Sequence, residues 1–107
     1  MTITLPNRAS AKNAELARKY QLDGDTHYRK FLDLKLAATA HDQMAREYHL
    51  NGTSDGRLKG LEMNSKAIEL RVEAEVERSI ATAAYRLAEF YARDLQPPAF
   101  APGSRTK

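Results

Sequence analysis

The sequence predicts an all-α protein: a short N-terminal helix and two long antiparallel helices forming a helical hairpin that dimerises into a four-helix-like bundle. Three observations carry that prediction. The 107 residues include 17 Ala and 12 Leu against five Ile and Val together, a balance that suits helices and starves sheets. The four prolines stand at positions 6, 97, 98 and 102, so nothing between Asn7 and Gln96 forbids long helices. Within that interval apolar residues recur at steps of three, four and seven, the periods of a helix face and of a heptad seam.

The elements follow in order. Met1–Pro6 (MTITLP) alternates for five residues before its proline and reads as an extended arm. A first helix is expected over 7–22, with Leu16, Ala17 and Tyr20 on one side. Asp23-Gly24 then supplies a stop, because glycine takes the left-handed C-terminal conformation without steric cost. Asp25 or Thr26 offers a capping oxygen for a second helix over 26–50, which Asn51-Gly52 ends in the same way. The segment 51–60 holds three of the five glycines and reads as the interior loop. A third helix starts between Arg57 and Ser65 and reaches Leu95, and 96–107 (QPPAFAPGSRTK) reads as a disordered Pro-rich tail. An unbroken helix over 57–95 is roughly 58 Å long at the standard rise. A compact domain of this size is only roughly 35 Å across. The helix therefore breaks near Gly60 or finds a partner.

The helix faces favour the partner. Phe31, Ala38 and Ala45 repeat every seven residues, with His27, Leu34, His41 and Tyr48 in the companion register. On the third helix Val72, Val76, Ile80, Ala83, Leu87 and Tyr91 step by three or four and form the expected opposing face. The predicted oligomer seam is therefore Phe31, Leu34, Ala38, His41, Ala45 and Tyr48 against Val76, Ile80 and Leu87. Leu32, Leu36 and Met44 add a second apolar stripe, which gives the second helix neighbours on more than one side.

Composition bounds the function. The formal charge of +3 is spread evenly, with eight Lys/Arg and six Asp/Glu in residues 1–50 and nine and eight in residues 51–107. A strongly cationic nucleic-acid binder is more lopsided. No cysteine is present, which removes disulfide and thiolate chemistry and leaves the cytoplasm as the expected compartment. No apolar run has the length of a membrane span. No nucleophile elbow, phosphate loop or dinucleotide fingerprint occurs, and no enzyme chemistry, metal or cofactor is expected. His27 and His41 stand 14 residues apart, about 21 Å along one helix, and cannot share an ion. His41 is expected as a neutral, hydrogen-bonded seam residue.

Two charged stripes mark the third helix. Glu62, Glu69, Glu73 and Glu77 form an acidic edge with Lys66 beside them. Arg71, Arg78, Arg86 and Arg93 recur at seven, eight and seven residues, interleaved with Glu75 and Glu89 in the pattern of an exposed, ion-paired face. Arginine in that number also suits docking to an acidic partner. The resulting expectation is a non-enzymatic oligomeric adaptor, inhibitor or regulator that acts by stoichiometric contact with itself and another protein, docking through Arg71, Arg78, Arg86, Arg93, Glu62, Glu69 and Glu73.

One internal repeat supports a different reading. LARKYQLDG (16–24) and MAREYHLNG (44–52) share five of nine residues. Extended to ELARKYQLDGDTHYRKFLDL (15–34), the first copy resembles a helix-turn-helix, with Ala17 at the small-residue position but Gln21 at the turn and His27 at an aliphatic position. The arm followed by two helices is similar to the ribbon-helix-helix family of dimeric DNA-binding regulators. That likeness implies Thr2 and Thr4 facing bases, with Arg8 and Lys12 on phosphates. Tyr28-Arg29-Lys30-Phe31 adds cations between aromatics, so Arg29 and Lys30 complete the candidate contacts of a DNA-binding alternative.

Overall fold

The computed structural model describes residues 8–93, with side chains from Ala11 to Arg93. The arm over 1–6 with Thr2 and Thr4, the Arg8 side chain and the tail over 96–107 lie outside the described residues. Two helices account for the rest: α1, Arg8–Leu50, and α2, Ser54–Arg93, packed against each other as a hairpin. By contact the described residues divide into two compact units, 25–81 and 8–24 with 82–93.

The larger unit, 25–81, contains the turn. Asn51 N–H and Gly52 N–H donate to the Tyr48 and His49 carbonyls, each at 3.2 Å, and Gly52 sits at φ 73°. Only glycine holds that conformation cheaply, so Asn51-Gly52 ends α1 as expected. Thr53 then caps α2: its Oγ1 accepts the Gly56 N–H at 2.9 Å, and the Arg57 N–H closes the first turn onto the Thr53 carbonyl at 3.0 Å. The cap sets the start of α2 at Ser54, ahead of both predicted starts. Gly60 lies inside the helix, where a Cβ would stand 2.7 Å from the His49 ring. Thr53→Ala is expected to cost about 1 kcal/mol of stability. A thermal melt unchanged by that substitution would remove the cap from the account.

The interior of this unit is made of small residues. Phe31, Ala38 and Ala45 of α1 are buried, as are Ala67, Ala74 and Ala81 of α2 with Gly60. Both rows keep a strict seven-residue step, the period that holds one face toward a partner helix. Companion rows are half-buried: His27, Leu34, His41 and Tyr48 on α1, and Met63, Leu70 and Glu77 on α2. Alanine brings two backbones close together and leaves larger side chains no room between them.

This arrangement bears on two expectations. Of the predicted oligomer seam of α1, Phe31, Ala38 and Ala45 are buried within the single chain, while Leu34, His41 and Tyr48 are half-buried. Val76 and Ile80 do not oppose it; they are exposed, and the opposing row is the alanine row beside them. The seven-residue period is that of the row buried within the chain.

The other unit corrects the helix count. α1 runs through Asp23-Gly24 without a break, so the separate helices over 7–22 and 26–50 are one. Gly24 is buried in mid-helix beneath Tyr85, where a Cβ would stand 2.6 Å from Cε1 of the ring. Glycine here serves close approach, and the turn expected of it is absent. Tyr20 and Tyr91 stack with ring centroids 5.9 Å apart and planes 10° from parallel. Ala84 and Ala88 are buried in this unit, whereas Leu22, Leu87 and Phe90 are exposed.

Candidate functional site

The hairpin buries mainly alanine and leaves most of its large aliphatic side chains outside. In the 25–81 unit α2 exposes Leu58, Leu61, Ile68, Val72, Val76 and Ile80. Their spacing of three, seven, four, four and four follows one helix face. Ile68 keeps 62% and Val72 60% of its surface open, values normal for lysine and costly for a branched aliphatic in water. α1 exposes fewer such residues in this unit, with Tyr28, Leu32, Leu36 and Met44 ahead of Leu50 at the turn. Contiguous exposed aliphatics of this extent are uncommon on the surface of a folded chain.

Charge borders this row unevenly. Glu62, Glu69 and Glu73 are all exposed beside it. Lys66 Nζ reaches Glu69 Oε1 at 3.7 Å, and no ion pair joins Glu62 or Glu73 to another described residue. A shallow open furrow of about 440 Å³ lies over Leu58, Leu61, Glu62, Ser65, Lys66 and Glu69. Its floor is aliphatic and two of its three charges are negative.

The arginines have other commitments. Arg71 pairs across the hairpin with Asp42 of α1, a partner 29 residues away that the sequence did not suggest. Arg78 donates to Glu75 Oε1 from Nη2 at 2.7 Å and from Nε at 3.0 Å, the i,i+3 pairing expected of an exposed face. Arg86 and Arg93 are exposed in the other unit. Within 25–81 the arginine stripe is therefore neutralised by its own chain, and the acidic edge is what remains.

The Arg78 hydrogen bond holds the Glu75 carboxyl below its ordinary value, against an opposing desolvation and with the Arg78 and Lys35 charges adding to it. Glu75 in turn raises Arg78. A depressed carboxylate contributes stability above its unfolded pKa and loses it as pH falls through the folded one. Both groups are fully exposed, so the pair matters little to stability. Arg78→Gln is expected to move the Glu75 titration upward toward the ordinary carboxylate range, read by carboxyl NMR. No movement would show the hydrogen bond to be unoccupied in solution.

The histidines occupy the half-buried row. His41 Nδ1–H donates to the Ala37 carbonyl at 2.9 Å, the hydrogen-bonded state expected of it. His27 Nδ1 meets Glu77 Oε1 at 2.5 Å, with 28% and 21% of the two side chains open. Glu77 thus leaves the acidic edge and faces α1. No group of three metal-ligating side chains occurs among the described residues, and no described helix is long and apolar enough to cross a membrane.

The candidate DNA contacts are scattered or absent from view. Lys12, Arg29 and Lys30 are exposed on α1, while Thr2, Thr4 and the Arg8 side chain lie outside the described residues. Residues 15–34 form continuous helix, so the helix-turn-helix likeness lacks its turn. The ribbon-helix-helix likeness loses the boundary between its two helices at the same place. No family model, curated protein or solved structure matches the chain.

Proposed function

We propose that the protein is a non-enzymatic adaptor, inhibitor or regulator that self-associates and acts by stoichiometric contact with another protein. One observation carries this reading: the hairpin buries alanine and displays leucine, isoleucine and valine. A row of exposed aliphatics is costly in water and is relieved by a partner surface. Val76 and Ile80, at the far end of the row from the turn, are the contact between copies. The stretch from Leu58 to Val72, with its acidic border, is the contact with another protein.

Light scattering across a concentration series tests the self-association. The expected mass at micromolar concentration is at least twice the 12.0 kDa of the chain. A monomer that persists into the millimolar range overturns it.

A further inference from the structure

We propose that the outer face of α2 between Leu58 and Glu73 receives a cationic amphipathic helix of another protein. The inference rests on the reading of the chain as a binding protein and names the chemistry of its partner.

The face has the two parts such a ligand needs. Its apolar part is Leu58, Leu61, Ile68 and Val72, all exposed and on one side of one helix. Facing helices meet through apolar positions three and four apart, so a partner with apolar residues at that spacing fits the row. Its charged part is the border of Glu62, Glu69 and Glu73. Lys66 offsets one of these three, leaving two negative charges without an ion-pair partner among the described residues. Arg71 and Arg78 of α2 are engaged by Asp42 and Glu75, while Arg57 stands exposed beside Leu58 at the turn end of the face, away from Glu69 and Glu73. An occupant with lysine or arginine along one flank completes the border, whereas an acidic flank meets repulsion. The furrow over Leu58, Leu61 and Ser65 marks where the contact begins, beside the turn.

The charge of the whole chain sharpens this. At +3 the protein repels a cationic peptide at long range. Selective capture of such a peptide therefore reports a local acidic surface and not net charge.

The test uses the full-length chain and two fluorescein-labelled peptides of about 18 residues, five helical turns. One carries leucines at i, i+3 and i+4 flanked by lysines; its twin has every lysine replaced by glutamate. Fluorescence anisotropy is expected to show the lysine peptide binding at least tenfold more tightly, and more weakly as salt rises. The triple variant E62K/E69K/E73K is expected to lose at least tenfold of that affinity, and Leu61→Asp a similar amount. Equal binding of the twins overturns the proposal without any variant having to fold. So does lysine-peptide affinity that survives both variants. Light scattering separates this from the reading beneath it. If E62K/E69K/E73K or Leu61→Asp dissociates the oligomer, a second copy occupies the face, and the proposal fails while self-association stands. If the chain is monomeric throughout and still selects the lysine peptide, self-association fails and the proposal stands.

Discussion

Ala74→Leu is expected to lower the thermal midpoint of the hairpin by about 5–20 °C. Ala74 is 1% exposed on the buried row of α2, between Ala67 and Ala81. Inserting methylenes into a filled interior costs about 1–3 kcal/mol. In a domain of this size each of those kcal/mol is about 4–8 °C. The cost arises because the leucine needs space that only separation of the helices supplies. Ala83→Leu is the control. It stands on α2, is exposed, and belongs to the face the sequence first suggested as the opposing one. Its expected effect is within about 0.5 kcal/mol. Circular dichroism melts of the two variants decide between the faces, and equal losses would sink the assignment of the alanine row.

Ile80→Asp is expected to leave the hairpin folded and to abolish self-association at micromolar concentration. Ile80 is 41% exposed in the single chain, so the hairpin itself has modest use for it. Burying an isoleucine between copies contributes about 1.5–3 kcal/mol, and a two-fold contact uses it twice. Losing about 3–6 kcal/mol raises the dissociation constant by about two to four orders of magnitude. The buried carboxylate adds to that loss. A variant that keeps the wild-type mass by light scattering would place the contact between copies elsewhere. A variant that loses its helical signal would mean that Ile80 serves the fold.

Much of the fold was readable from the sequence, and the misreadings share a physical cause. Helical class, the Asn51-Gly52 turn and the seven-residue row of Phe31, Ala38 and Ala45 all follow from spacing and turn chemistry. The row they meet on α2 was not chosen, because pattern reading favours bulk. Val76, Ile80 and Leu87 outweigh Ala67, Ala74, Ala81 and Ala88 on any hydrophobicity scale. Two closely packed helices reverse that preference, since only the small row fits between them.

The repeat shows a second limit. LARKYQLDG and MAREYHLNG share five residues, yet one passes through the middle of α1 and the other ends it. The difference lies beyond either segment. Tyr85, 61 positions along the chain from Gly24, lies over that glycine, whereas Thr53 waits just after Gly52 to start a new helix. A nine-residue window contains neither fact. Of the residues proposed for docking, Glu62, Glu69 and Glu73 are legible as one edge from their spacing. That Arg71 is neutralised by Asp42 depends on how the helices pair, and no local pattern carries that register.

The described core holds seven alanines and a single larger side chain, Phe31. That composition uncouples two kinds of selection. In most small proteins the residues that recognise a partner border the residues that hold the fold, and a change of specificity risks a loss of stability. Here the leucines, valines and glutamates of the outer rows can be exchanged while the buried rows stay fixed. On the docking reading proposed above, a single outer substitution alters recognition at little cost to folding.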